Sequence, residues 1–257
     1  MTTTSIAVNE SPLVLFTLRR ADDALVLGHR LSEWCGHGPT PEEDIALANI
    51  GLDLIGQARS LYTRAAEAEA GGHDEDQFAY LRDPPQYRNL LMLELPNGDF
   101  GRSIMRLFLY AAFADPWWRA MTASTDPGLA AIAAKAEKET AYHLRHAAEW
   151  VIRLGDGTAE SHRRAQAALD ALYPYTGEFF TAADEQALTD AGIATDPATT
   201  RPAWDATLDH VLAEATLTRP AAPWFQQGGR TGRHTEHLSF LLAEMQHLPR
   251  THPGATW

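Results

Sequence analysis

Carboxylates and histidines spaced three or four residues apart on helices are the material from which a carboxylate di-iron site is built, and this chain carries several such groups. The site needs a Glu from each of two helices and a Glu-x-x-His pair from each of two others, all facing inward. A spacing of three puts carboxylate and imidazole on one helix face, and hard oxygen with imidazole nitrogen suits iron. In KETAYHLRH, residues 138–146, Glu139 is followed three places on by Tyr142. In LANIGLDLIGQAR, Asp53 is followed three places on by Gly56. Both imidazoles of the pattern are missing. Glu139 and His143, with His146 close by, also share a face, but the neighbouring segments offer only Asp22, Asp23 and Glu33, or Asp115, and no matching mid-helix Glu. One such pair reads as a buried hydrogen-bonded pair. Asp53, Gly56, Glu139 and Tyr142 are therefore expected to be degenerate ligand positions, with no metal and no catalytic residue in this chain.

Other constellations carry less. Glu244-x-x-His247 has the right spacing, but Pro249 is expected to end its helix at once, which makes it a helix-end contact. His234, Glu236 and His237 lie at a helix start, where adjacent side chains diverge and Thr235 is the expected cap. GxSxG, P-loop and GxGxxG motifs are absent, and GGRTGR follows no strand.

The elements that would position these residues are helical throughout. Apolar spacing predicts a helix over 13–35, and a second from the cap-like Thr40 with Pro41 at its first position to Gly71-Gly72, with Ile45, Ala48, Leu52, Ile55 and Leu61 as its core stripe. Gly51 and Gly56 would let another helix approach closely. Residues 73–99 lose the periodicity and form a long connection, in which YRNLLMLEL makes at most a short helix. A third helix follows over 100–124, with a kink expected at Pro116, and a fourth runs from Asp126-Pro127 to Gly155. Two helices, a long crossover and two more helices is the connectivity of a ferritin-like four-helix bundle. Further helices are expected over about 158–180, 184–191, 202–217 and 234–248, separated by a Pro/Gly-rich loop, 218–233, that holds Trp224 and Phe225. The fold class is thus all-α, a ferritin-like bundle with additional C-terminal helices. Residues 1–12 read as a disordered tail and 13–257 as a single domain, with a bundle core of about 13–155 and accessory helices over about 158–250.

Composition narrows the function classes. The 257 residues are 45% hydrophobic and 21% charged, as in ordinary soluble proteins. A formal charge of −13 repels a phosphate backbone, so nucleic acid is excluded as a partner. No apolar run approaches the roughly 18 residues that span a bilayer, and MTTTSIAVNESP resembles no signal peptide, so the expected location is cytoplasmic, with no membrane partner. The single cysteine, Cys35, is expected to be a buried packing residue. Arginines gather at Arg82, Arg88, Arg102 and Arg106, and at Arg230 and Arg233, where a solvated face is the expectation.

Four stretches together, LGHRLSEWCGHGPTPEEDIALANIGLDLIGQAR, RDPPQYRNLLMLELPNGDF, KETAYHLRHAAEWVIRLGDGT and GGRTGRHTEHLSFLLAEMQHLP, resemble the C-subunit family of the bacterial phenylacetyl-CoA epoxidases. The resemblance runs from about residue 13 to Trp257; an extended N-terminus and His247, where an aromatic is usual, depart from the family pattern. It implies a structural subunit without cofactor of its own, paired with a homologous catalytic A subunit that holds the di-iron centre. The pair is expected as a heterodimer assembled into a dimer of heterodimers, with a small bridging B subunit. A reductase with FAD and an iron–sulfur cluster supplies electrons from NADPH, and phenylacetyl-CoA is converted to its 1,2-epoxide in aerobic phenylacetate degradation. By the same resemblance Gln86, Tyr87, Arg88 and Asn89, and more weakly Gln186, Ala187 and Leu188, lie near the substrate; the reading beside it is that they order the crossover loop. Two other readings stand: a di-iron oxidase in its own right using Glu139 and His143, and a free-standing helical binding module. Trp117, Trp118, Trp224 and Phe225 are candidates for either interface or core.

Overall fold

The computed structural model describes residues 5–221 and 224–255. All regular structure among them is helical. The main helices are α1 (Pro12–Ser32), α2 (Pro41–Glu69), α5 (Phe100–Met121) and α6 (Pro127–Gly155). The first two are joined to the second two by a connection holding two short helices, α3 (Glu75–Tyr80) and α4 (Leu91–Glu94). After α6 come α7 (Ala159–Leu172), α8 (Gln186–Asp190), α9 (Arg201–Glu214), α10 (Glu236–Met245) and α11 (His247–Thr251), with 3-10 turns between several of them.

The chain forms two compact units: Met1–Arg30, Gly51–Pro96 and Gly228–Trp257 in the first, Leu31–Ile50 and Asn97–Gln227 in the second. In the second unit α5 is the hub, packed against α6, α7 and α9. It is buried almost all round, from Ser103 through Asp115 and again at Trp117, Trp118 and Met121, as a helix apolar on every side must be. Trp117 and Trp118 are therefore core, and Trp117 Nε1 donates to the Thr195 carbonyl at 3.2 Å. The helix continues through Pro116. α6 buries Leu129, Ala133, Ala136, Thr140, His143, Ala147, Val151 and Gly155, a stripe at helical spacings of three and four. Its start is set by the Asp126 carboxylate, which accepts the Leu129 N–H at 2.9 Å, with Pro127 at the first position.

In the first unit α1 meets α2 at Gly28, where a Cβ would lie 3.2 Å from the Gly51 carbonyl oxygen. Two small residues let the backbones approach there. The core stripe of α2 is Leu47, Ile50, Leu54, Ala58, Leu61 and Ala65. Of the expected stripe only Leu61 is fully buried, while Ile45 and Leu52 are 62% and 66% exposed. Apolar residues on α2 form two interleaved stripes, and periodicity alone does not say which one is covered.

Four further expectations are corrected. Cys35 is exposed, because α1 stops at Ser32 and the residue falls in the turn that follows. Pro249 lies inside α11, at its third position, where the missing N–H has no helical partner to lose. Thr235 stands at the N-cap of α10 without a side-chain capping bond. Residues 5–11 are not a loose tail but are hydrogen-bonded along the first unit; residues 1–4 of the expected tail lie outside the described residues.

Candidate functional site

The densest polar constellation lies in the first unit, where α1 presents adjacent carboxylates at full burial. Asp22 and Asp23 diverge by about 100° around the helix, so each takes a different partner. Asp22 pairs with Arg82, accepts the Tyr62 hydroxyl at 2.6 Å, and takes the backbone N–H of Arg88 at 2.7 Å. Asp23 pairs with Arg230 at 2.7 Å and takes the N–H of Leu90 at 2.8 Å. Arg230 also donates to the Arg19 and Arg88 carbonyls, at 3.1 and 2.9 Å. The loop between the 3-10 turn at Pro84–Gln86 and α4 has no helical hydrogen bonds of its own, so these carboxylates supply acceptors for its amides. Burial raises the Asp23 carboxyl above the usual range, opposed by Arg230 and Arg20. Burial also pushes the Tyr62 and Tyr87 hydroxyls up, Asp22 adding to the effect. The Arg82 guanidinium, although desolvated, is held firmly charged by Asp22.

A third buried carboxylate closes the arrangement. Glu94 accepts from Asn89 Nδ2 at 2.9 Å, from the Thr235 N–H at 2.6 Å and from His234 Nδ1 at 2.7 Å. His234 Nε2 lies 2.9 Å from the Tyr87 carbonyl, which can only accept. With an acceptor at each nitrogen the ring carries both protons. Its pKa is accordingly raised: burial works against the charge, but the bond to Glu94 outweighs it.

Each sequence-derived candidate can now be placed. Tyr87 and Asn89 are buried; the Tyr87 hydroxyl donates to the Ala79 carbonyl and Arg82 stacks 4.3 Å above its ring. Gln86 and Arg88 are half-buried, on the outer side of the same loop. Arg82, Arg106 and Arg230, expected on solvated faces, are buried. Gln186 and Ala187 are exposed at the start of α8 in the second unit, where the Gln186 amide bonds Asp190 at 2.7 Å, and Leu188 is buried. Asp22, Asp23 and Glu94 are structural anchors to which the sequence analysis gave no such role; a pair of adjacent acids inside an apolar helix stretch is the signal for the first two, and Glu94 has none.

The expected degenerate ligand positions fall in different units. Asp53 and Gly56 are half-buried on α2 in the first unit. In the second, Glu139 pairs with Lys135 at 3.3 Å, and Tyr142 is 40% exposed, its ring stacked on His146 with centroids 6.0 Å apart. His146 in turn pairs with Glu43 at 3.2 Å, and burial lowers its pKa. His143 is buried in the stripe of α6 that packs in the core. Glu244 and His247 fall in different helices. Among the described residues no group of three or more His, Cys, Asp or Glu side chains is arranged to hold a metal ion, and none of the helices is long and apolar enough to cross a membrane.

Two comparisons bear on this arrangement. The family model described as phenylacetic acid catabolic protein matches residues 1–257. The chain is also 48% identical over 246 residues, 95% of its length and 99% of the relative's, to the C subunit of the 1,2-phenylacetyl-CoA epoxidase of Escherichia coli strain K12.

Proposed function

The chain belongs to the phenylacetic acid catabolic protein family, whose fold is ferritin-like and helical, and from that premise we propose that it is a non-catalytic structural subunit of a multicomponent phenylacetyl-CoA 1,2-epoxidase. In this reading the di-iron chemistry belongs to a homologous A subunit, a small B subunit bridges assemblies, and the flavin and iron–sulfur reductase brings electrons from NADPH. This chain supplies shape, a docking surface and part of the rim over which the thioester substrate passes.

One observation carries the reading. Four buried carboxylates of the first unit, Asp22, Asp23, Glu69 and Glu94, are each taken by an arginine or histidine and by a backbone amide of the same chain. The positions where imidazole ligands would stand hold Gly56 and an outward-lying Tyr142. Carboxylates neutralised by guanidinium are poor iron ligands, because the metal would have to displace a charge-assisted bidentate pair. The protonated ring of His234 has no lone pair to offer a metal.

Co-expression with the A subunit tests this. The expected outcome is a soluble complex that retains epoxidation, with substoichiometric iron on the isolated chain. About two irons per isolated chain, lost on Glu139→Ala, would overturn the proposal, and so would a chain that stays monomeric and ignores the A subunit.

A further inference from the structure

The segment ahead of α1 is fastened to the crossover loop along its length. The Ile6 N–H donates to the Leu81 carbonyl at 3.1 Å, and the Ile6 carbonyl accepts from Gln86 Nε2 at 2.8 Å. Ser5 Oγ donates to Gln86 Oε1 at 2.6 Å, and the Asn9 N–H donates to Glu69 Oε1 at 2.9 Å. Glu10 Oε1 accepts from Arg88 Nη2 at 2.8 Å. None of residues 5–11 is buried, whereas α1 enters the core at Val14. The segment is therefore held by hydrogen bonds and one ion pair together with the half-buried side chains of Ile6 and Val8, and it adds no fully buried residue to the core.

Three of these contacts fall on Gln86 and Arg88, the two outward residues of the loop, and the others on the Leu81 carbonyl and the Glu69 carboxylate. The Gln86 amide has oxygen and nitrogen both engaged by the segment. Arg88 is held from within by Nη1, which donates to the Pro85 and Tyr87 carbonyls at 2.6 and 2.9 Å, and its backbone N–H is fixed on Asp22. Its outer nitrogen, Nη2, meets Glu10, a carboxylate whose side chain is 39% exposed. A guanidinium braced by its own loop presents a ready geometry to an oxyanion, and carboxylate and phosphate oxygens bind that fork in the same way.

We infer that residues 5–11 are a detachable strap in which the Glu10 carboxylate occupies Arg88 in place of a phosphate-bearing ligand, and that release of the strap opens Arg88 and Gln86 together. The inference rests on reading the loop at 86–89 as substrate-facing.

The test uses the full isolated chain, titrated calorimetrically with inorganic pyrophosphate and separately with free coenzyme A, in wild type, Glu10→Ala, Arg88→Ala and the double variant. Glu10→Ala is expected to bind coenzyme A about fivefold more tightly than wild type, the worth of one partly exposed ion pair. The gain is expected to vanish in the double variant. A parallel gain for pyrophosphate assigns it to the phosphates alone; a gain confined to coenzyme A assigns it to the nucleotide-bearing form. Hydrogen exchange is expected to rise at the Ile6 and Asn9 amides in Glu10→Ala. No binding in any variant, equal affinity in wild type and Glu10→Ala, or a gain that survives loss of Arg88 would each refute the strap. Capture of the A subunit is scored separately, so the strap and the structural-partner reading fail by different measurements.

Discussion

Adjacent Asp22 and Asp23 show why charge is placed inside this helical protein. A buried ion pair returns little net stability, since desolvation offsets most of the attraction, but losing one partner strands the other at a cost of about 3–5 kcal/mol. Here the pairs locate a segment that cannot locate itself, because the amides of Arg88 and Leu90 bond to these carboxylates rather than within the loop. Glu94 and His234 do the same for the start of α10 and carry a pH signature. The folded His234 pKa lies above the unfolded value of about 6.5. Its stabilisation is therefore fully present below that value and is lost as pH rises through the folded pKa. His29 and His146, both lowered by burial, act in the opposite sense at lower pH. His234→Gln is expected to destabilise the chain by about 1–3 kcal/mol at pH 6 and to flatten the fall in denaturation midpoint above pH 6.5. Wild type and variant with parallel pH profiles would refute the charged-ring assignment. Neither carboxylate partner was legible in the sequence, because Arg82 and Arg230 lie 60 and 207 residues from Asp22 and Asp23.

At the scale of elements, what could be read was local. The start of α6 followed from Asp126-Pro127 and its end from Gly155, since capping and the N1 proline act within a few residues of the boundary. The covered face of α2 did not follow, because Ile45 and Leu52 keep helical spacing as well as Leu47, Ile50 and Leu54 do. Gly155 has a second role visible only in three dimensions: a Cβ there would run into the carbonyl oxygen and side chain of Ala215, just after α9. Gly155→Ala is expected to cost about 1–3 kcal/mol by overpacking, against the usual gain from removing a glycine. Thermal unfolding reads this directly, and a raised Tm would show that the two helix ends can part without cost.

For the molecule as a whole, a charge of −13 disfavours a phosphate backbone as partner, and exposed aromatics are the first surface at which to test for a protein partner. Trp224 is 58% exposed on the 218–233 loop, and Phe225 beside it is half-buried against Tyr173, with ring centroids 6.2 Å apart. A tryptophan so exposed contributes little to folding, and interface hot spots are rich in tryptophan. Trp224→Ala is expected to leave Tm unchanged and to weaken capture of the A subunit by tenfold or more. Undiminished capture would remove this loop from the interface.

The sequence by itself determined the helical class, the order of long helices around a long crossover, and the missing imidazoles at positions 56 and 142, since periodicity, capping and residue identity are local properties. Only the tertiary structure decided that the arginines expected on solvated faces lie buried against carboxylates, that α2 turns its other stripe inward, and that residues 5–11 grip the crossover loop. Those outcomes depend on which distant segments meet, and pairing energies between distant residues leave no period in the chain.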